Sequence, residues 1–441
     1  MAQSRTSDRT STAPEYSVII IGAGLSGLVL AHGLKRHSIP FKIYERDSSP
    51  TSRSQGYRIR LNLIGLDAIH HILPVDVYSE IVATCAPCAS KAERFDCVSG
   101  EELLGHAGGI PVNGKQTTMD PERIPVLPPG LDGDDALIRR AMTSRLNADR
   151  RSLRQSLLKG LEDDVSWSTE LDTYDVSVHG VTAQFKDGTT AEGSLLVGSD
   201  GARSRVVSLH TGHSIQPTET GAIMCFGKST LTPALLSEMH PQWREGIRFG
   251  NHPGKPSFFG DVCRFSDLRA PGDYVYWIIT AFDGFKSYAS DEERQRMRRD
   301  PELAKSISLR VADEYHPGLR AIVENQDEGS ATMWQAQTAD PEGVHAWETC
   351  SRVTVLGDAI HAMPPLGGLA GNMAMRSAAL LVDALAEGSL KEGWSRETIA
   401  RFEEKMRSDA SKMLQLCHAA LHGVFPLTAW KPLGADEGVR W

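Results

Sequence analysis

Residues 17–27, SVIIIGAGLSG, narrow the possible folds of this chain more than any other stretch. The run up to Gly22 is short, apolar and rich in branched side chains, the pattern of a buried parallel strand. It breaks at Gly22, Gly24 and Gly27 and continues as LSGLVLAHGLKRH, whose Leu25, Leu28, Val29 and Leu34 fall at helical spacing. FKIYER, residues 41–46, then alternates as a second strand and completes a β-α-β unit of about thirty residues. A lone GxGxxG says little. One that follows a strand, opens a helix and is answered by an acid at the next strand end, Glu45, is a dinucleotide fingerprint. Gly22 permits the tight turn, Gly24 lets a pyrophosphate approach the backbone, and Gly27 lets the helix pack on the strand. The helix mouth offers free N–H donors and partial positive charge to phosphate, and Glu45 can accept from ribose hydroxyls. This motif alone does not separate FAD from NAD.

Two later motifs do. GSDGARS, residues 198–204, ends one strand, and GDAIHAMPPLGGLAGNMA, residues 357–374, follows another, SRVTVLGD. Together with GAGLSG, in this order, they resemble the three fingerprints of the single-component FAD-dependent aromatic hydroxylases, a family of flavoprotein monooxygenases. The likeness spans about residues 16–420 and is similar in style to fungal secondary-metabolite members. It implies an α/β fold, with a Rossmann-like FAD-binding domain, an interwoven mixed β-sheet substrate domain and C-terminal helices. It places the Asp358 carboxylate on the ribityl chain of FAD and the N–H groups at Gly371 and Asn372 against the pyrimidine edge of the flavin. It links Asp200, with Gly201, to FAD and the pyridine nucleotide, has Arg150 open a helix and touch FAD, and puts Arg58, after Gly56-Tyr57, on the ADP-ribityl side. It further implies that NAD(P)H reduces FAD, and that O2 then gives a flavin C4a-hydroperoxide which passes one oxygen atom to a small aromatic, polyketide or alkaloid-like substrate. Hydroxylation, epoxidation and Baeyer–Villiger insertion stay open. Three departures stand out: Ala370 where a glycine is usual, Ser377-Ala378 where Asp-Ala is usual, and Val207 where arginine is frequent. The last bears on the nicotinamide contact.

Residues 1–15, polar and without an apolar stretch, read as a disordered tail, and the rest divides into FAD-binding parts at 16–75, 136–207 and 346–441, a substrate-layer segment with loops at 76–135, and a substrate domain at 208–345. Residues 148–161 read as one amphipathic helix, 181–201 as a hairpin about Asp187-Gly188, 371–387 and 395–423 as helices, and 98–134 as Gly- and Pro-rich loops. Tyr274, Tyr276 and Trp277 lie in one strand and read first as sheet packing, second as pocket lining. His361 reads as a packed loop residue before a base, Arg58 and Arg60 equally as plain surface or salt-bridge residues, and Pro364-Pro365 as a stiffener of the flavin loop.

Bulk properties close other routes. With 441 residues, a core needs no disulfides. A net charge of −9 disfavours nucleic acid as a partner, and the basic runs at 139–154 and 294–299 read as solvated helix faces. No stretch approaches the ~20 apolar residues of a membrane span. Seven scattered cysteines suit a reducing, cytoplasmic setting, and the Cys85/Cys88 pair reads as two incidental thiols, with no metal site. No catalytic side chain is singled out. A halogenase would share the FAD layout, but YWII at 276–279 lacks the second Trp and the Pro of a WxWxIP segment. Another FAD oxidoreductase, such as a dehydrogenase, and a non-redox FAD cyclase or scaffold are the remaining alternatives.

Overall fold

The computed structural model describes residues 17–52, 58–89, 92–103, 135–364, 368–387 and 394–424. The expected tail at 1–15, nearly all of the loop region at 98–134, Gly56-Tyr57 and Pro365 lie outside the described residues.

The run at 17–22 becomes the strand Val18–Ile21, wholly buried at the centre of a five-stranded parallel sheet. The order is Val353–Val355, Leu195–Gly198, Val18–Ile21, Phe41–Tyr44, Val165–Ser166. A parallel strand covered on both faces must be apolar throughout, which is why VIII and LLVG carry no polar alternation. The helices Leu25–Arg36 and Leu369–Glu387 pack on each other beside this sheet.

A second, six-stranded sheet runs Thr332–Thr338, Thr218–Thr230, Tyr274–Ala281, Ser257–Cys263, Ile247–Asn251, Ala92–Asp96. All its pairs are antiparallel except the last, so the sheet is mixed. Strand alternation divides its central member. Val275, Trp277 and Ile279 pack under the helices Pro301–Ala312 and Pro317–Glu324, whereas Tyr274, Tyr276 and Ile278 join Met224 and Phe226 on the opposite face. The fold class expected from the motifs is therefore borne out.

Two local expectations need correction. The helix read at 148–161 is Arg150–Leu158, because residues 144–149 form the strand Ser144–Asp149 and the Asp149 carboxylate caps the helix, accepting from Ser152 N at 3.0 Å. The hairpin read at 181–201 closes at Gly193: Val181–Phe185 pairs with Thr190–Gly193, and Leu195–Gly198 leaves it to join the parallel sheet beside Val18–Ile21. The turn itself falls at Asp187-Gly188 as read, with Gly188 at φ 84°.

Candidate cofactor and substrate site

Four neighbouring parallel strands end on the same side of the sheet, and each hands on a motif. Ile21 leads to Gly22, Tyr44 to Glu45, Gly198 to Ser199-Asp200, and Val355 to Gly357-Asp358. Ligands of open α/β sheets bind outside such carboxyl ends. A cavity of about 1870 Å3 opens there and continues to the inner face of the six-stranded sheet. That exceeds the roughly 300–1,000 Å3 of an ordinary small-molecule pocket, so it has room for a dinucleotide and a second molecule.

The glycine loop has the form a pyrophosphate needs. Gly22 sits at φ 109°, and a Cβ there would stand 2.5 Å from the Ser199 carbonyl oxygen. A Cβ on Gly27 would drive into the Gly22 carbonyl. Gly24 is different: the nearest atom to its virtual Cβ lies 4.0 Å away, so this glycine faces open cavity at the helix N-terminus. Glu45 is buried and holds the loop. Its carboxylate accepts from Ala23 N at 2.8 Å and from Asp47 N at 2.9 Å, and each oxygen keeps a lone pair for a hydroxyl donor.

Arg154 was not singled out in the sequence, yet it belongs to this cradle. Its guanidinium donates to Ala23 O and Pro50 O, each at 3.1 Å, lies 3.7 Å from Glu45, and stacks over Trp167. The available signal was its spacing: Arg154 follows Arg150 by four residues, which puts both on one helix face.

Arg150 opens its helix and lines the cavity, as does Asp358. Asp358 is open to the cavity but ringed by protein, and this desolvation pushes its pKa up while the Arg150 charge pulls it down. Burial likewise lowers Arg150, and Asp358 opposes that shift. The pair is thus mutually supported and still presents polar atoms to a ligand. Asp200 is committed differently. One oxygen accepts from Ser204 Oγ at 2.5 Å and the other from Arg205 N at 2.7 Å, so its carboxylate caps the helix Arg205–His210; burial raises its pKa. Gly371 lines the cavity, while the Asn372 side chain is wholly buried and turned away from it. Its amide donates to Arg60 O at 2.7 Å and to Gly368 O at 2.5 Å, and its oxygen accepts from Asn62 N at 3.1 Å. Asn372 thereby fixes the mouth of the Leu369–Glu387 helix to the strand Arg58–Asn62.

The Arg58 side chain points toward the second sheet. It pairs with the fully buried Asp261 and lies 5.4 and 5.3 Å from the ring centres of Phe259 and Tyr276. Of the aromatic stretch, Tyr276 lines the cavity, and Trp277 is sealed in the opposite layer with its indole N–H on Ser229 Oγ at 3.0 Å. His361 is fully buried and outside the cavity lining, with Nε2 2.9 Å from Ser377 Oγ; burial lowers its pKa to about 4. Cys85 and Cys88 are free thiols whose pKa values burial raises, to about 12 for Cys85. Among the described residues no group of three or more His, Cys, Asp or Glu could hold a metal, and no helix is long and apolar enough to cross a membrane.

Comparison with known proteins agrees with this geometry. A family model described as an FAD binding domain matches residues 150–416, and one described as an NAD(P)-binding Rossmann-like domain matches residues 20–82. Over 432 residues the chain is 33% identical to the dual O-methyltransferase/FAD-dependent monooxygenase CTB3 of Cercospora beticola, covering 91% of this chain and 46% of that protein. It is 27% identical to the FAD-dependent monooxygenase dbaB of Emericella nidulans, covering 84% of this chain and 87% of that one. The chain thus spans about half the length of the first curated relatives it matches. The crystal structure of Klebsiella pneumoniae HpxO complexed with FAD and uric acid shares the fold, with a TM-score of 0.68, 18% identity, and coverage of 92% of this chain and 88% of that one. Because the FAD-binding match alone takes in more than half of its length, the chain belongs to the FAD-binding-domain family of flavoproteins, with FAD as its cofactor.

Proposed function

We propose that the protein is an FAD-dependent monooxygenase which, driven by NAD(P)H, places one oxygen atom of O2 on a small organic substrate of aromatic or polyketide type. The observation that carries this reading is the continuity of the cavity, from the open Gly24 helix mouth, past Arg150 and Asp358, to the Met224, Phe226 and Tyr276 face of the second sheet. The names of the curated relatives support it. Bound FAD supplies the electron transfer and the activation of O2. The chain supplies the rest. The N–H groups at the start of the Leu369–Glu387 helix stabilise negative charge at the flavin's pyrimidine edge. Asp358 accepts from ribityl hydroxyls, and the apolar sheet face excludes water from the reacting end. Such chemistry needs no protein nucleophile.

The test is incubation of the FAD-loaded protein with NADPH, isotopically labelled O2 and a panel of aromatic and polyketide compounds. The expected product carries one labelled oxygen, with matched NADPH oxidation. Product oxygen drawn from water, or NADPH oxidation without product for every compound, would overturn the reading.

A further inference from the structure

A small antiparallel sheet, in the order Arg58–Asn62, Ser144–Asp149, Ala86–Pro87, joins the two halves of the molecule. Its side chains alternate. Ile59, Leu61, Leu146 and Ala148 pack into the core of the FAD-binding half. The other face turns toward the six-stranded sheet, and there it is polar and charged although buried. Arg58 stands opposite Asp149 across the two strands, and Arg60 opposite Asn147. The six-stranded sheet answers with Asp261 and Tyr274. Arg58 is in direct contact with the Asp261 carboxylate, Arg60 Nη2 lies 3.8 Å from it and Asn147 Nδ2 3.4 Å. The Tyr274 hydroxyl donates to Asp149 at 3.4 Å. Asp261 is 0% exposed, and the Arg58 and Arg60 side chains only 9% and 11%. Two positive and two negative groups make the cluster neutral, and the adjacent Arg150 and Asp358 balance each other. Lys228, over the Tyr274 ring, is answered by Asp327 at 3.9 Å.

Stability does not call for charges here, because well-packed apolar residues of similar volume commonly match or exceed a buried ion pair. This cluster is also incompletely bonded: Arg58 Nε, Arg60 Nε and Nη2 and Asp261 Oδ1 have no hydrogen-bond partner among the described residues. Charged groups supply something apolar contact does not, which is register. If the strand Ser257–Cys263 slid by two residues, Phe259 or Cys263 would face the arginines and leave them buried without their carboxylate. The same small sheet holds the flavin side. Asp149 caps the helix that starts at Arg150, and Asn372 ties Arg60 O to the mouth of the Leu369–Glu387 helix. We infer that the Arg58–Asp261 pair, backed by Asp149 and Tyr274, positions the six-stranded sheet over the flavin end of the cavity and so keeps the reacting end closed to solvent. Both are positioning residues, acting through the elements they join. The inference rests on the monooxygenase reading, in which that end must stay dry.

The experiment compares FAD-loaded parent protein with Arg58→Met, Asp261→Leu, the Arg58→Met/Asp261→Leu double variant and Arg58→Lys. Melting midpoints are measured, and so is the second-order rate at which ferricyanide reoxidises the photoreduced flavin without oxygen. Each apolar single variant strands a buried charge and melts several degrees lower. The double variant is neutral again and melts within about 2 °C of the parent, yet its flavin reacts with ferricyanide about threefold faster or more. Arg58→Lys, which keeps the charge, keeps the parent rate. A double variant whose flavin reacts at the parent rate would overturn the inference. So would one that melts as low as the single variants, since the pair would then serve stability. Bleaching of the flavin by NADPH, read on the same samples, reports the monooxygenase reading separately.

Discussion

Asp358 and Glu45 both carry carboxylates at strand ends, but they act differently. Among the described residues no backbone donor occupies Asp358, which faces the cavity beside Arg150. Asp358→Ala is expected to purify largely without flavin, and a fully yellow variant would remove Asp358 from the ribityl chain. Glu45 serves the loop first, through Ala23 N and Asp47 N. Glu45→Ala should weaken FAD binding about tenfold, roughly 1.4 kcal/mol, as measured by titrating apoprotein; unchanged affinity would dismiss the ribose role. His361 bears on stability rather than catalysis. The Ser377 hydroxyl donates to Met373 O at 2.9 Å, so the imidazole is the donor in the 2.9 Å contact between them, and its Nδ1 is buried without a partner among the described residues. A neutral imidazole suits its serine partner. With the folded pKa near 4 and the unfolded value near 6.5, the unfolded chain binds the proton more readily. The contribution is therefore intact above about pH 6.5 and is lost as pH falls toward 4, with on the order of 3 kcal/mol at stake. Urea unfolding from pH 8 to 4.5 should show this slope, and His361→Asn should flatten it; an identical slope in the variant would place the titration elsewhere.

At the scale of elements, the joint between the strand Arg58–Asn62 and the helix Leu369–Glu387 decides where the flavin end of the site lies. One amide, Asn372, makes two hydrogen bonds across it, to Asn62 N and Arg60 O, and a third to Gly368 O just before its own helix; all its partners are backbone groups. Asn372→Ala removes all three bonds, which should cost about 3 kcal/mol and loosen FAD. A denaturation midpoint close to that of the parent protein would show that the joint is held by other contacts. This residue also marks how far the sequence can be read. The motif GNMA placed Asn372 at a helix mouth, and a helix does begin there, at Leu369. That its side chain turns away from the ligand depends on a strand more than three hundred residues earlier, which spacing does not reveal. Local signals fared better where they were self-contained, as at the Asp187-Gly188 turn. They failed where one residue ends an element and starts another: Asp149 closes a strand and caps a helix, so an apolar period alone put the helix start too early. Leu195–Gly198 looks like the return arm of a hairpin, yet burial on both faces draws it into the parallel sheet.

For the whole molecule, the legible part is the part whose chemistry is carried by short motifs at strand ends. The three glycine-containing motifs converge because parallel strands in one sheet end on one side, so the FAD half could be drawn from sequence. The second sheet could not. Its members lie far apart in the chain, and the parallel pairing of Ile247–Asn251 with Ala92–Asp96 crosses about 150 residues without any turn signal. Arg58, Arg60 and Asp261 meet only because of that assembly, which is why the sequence left the two arginines undecided between ion pair and cofactor contact. A cavity between two sheets also carries a thermodynamic consequence. Cavity-lining groups run from Gly22 and Asp358 on one sheet to Phe226 and Tyr276 on the other, so much of the cofactor-binding surface exists only in the folded state. A ligand that binds the folded state alone stabilises it by about 2.7 kcal/mol at a hundred times its Kd, which for a chain of 441 residues is a rise of roughly 3 °C in midpoint. Apoprotein should accordingly melt several degrees below FAD-saturated protein, with the difference growing with the logarithm of FAD concentration. Adding FMN, which lacks the adenosine half that the Gly24 helix mouth and Glu45 are shaped to hold, should restore little of it. Equal stabilisation by FMN and FAD would mean that the glycine loop contributes nothing to affinity, and a midpoint indifferent to both would mean that the cavity does not bind flavin in the folded state.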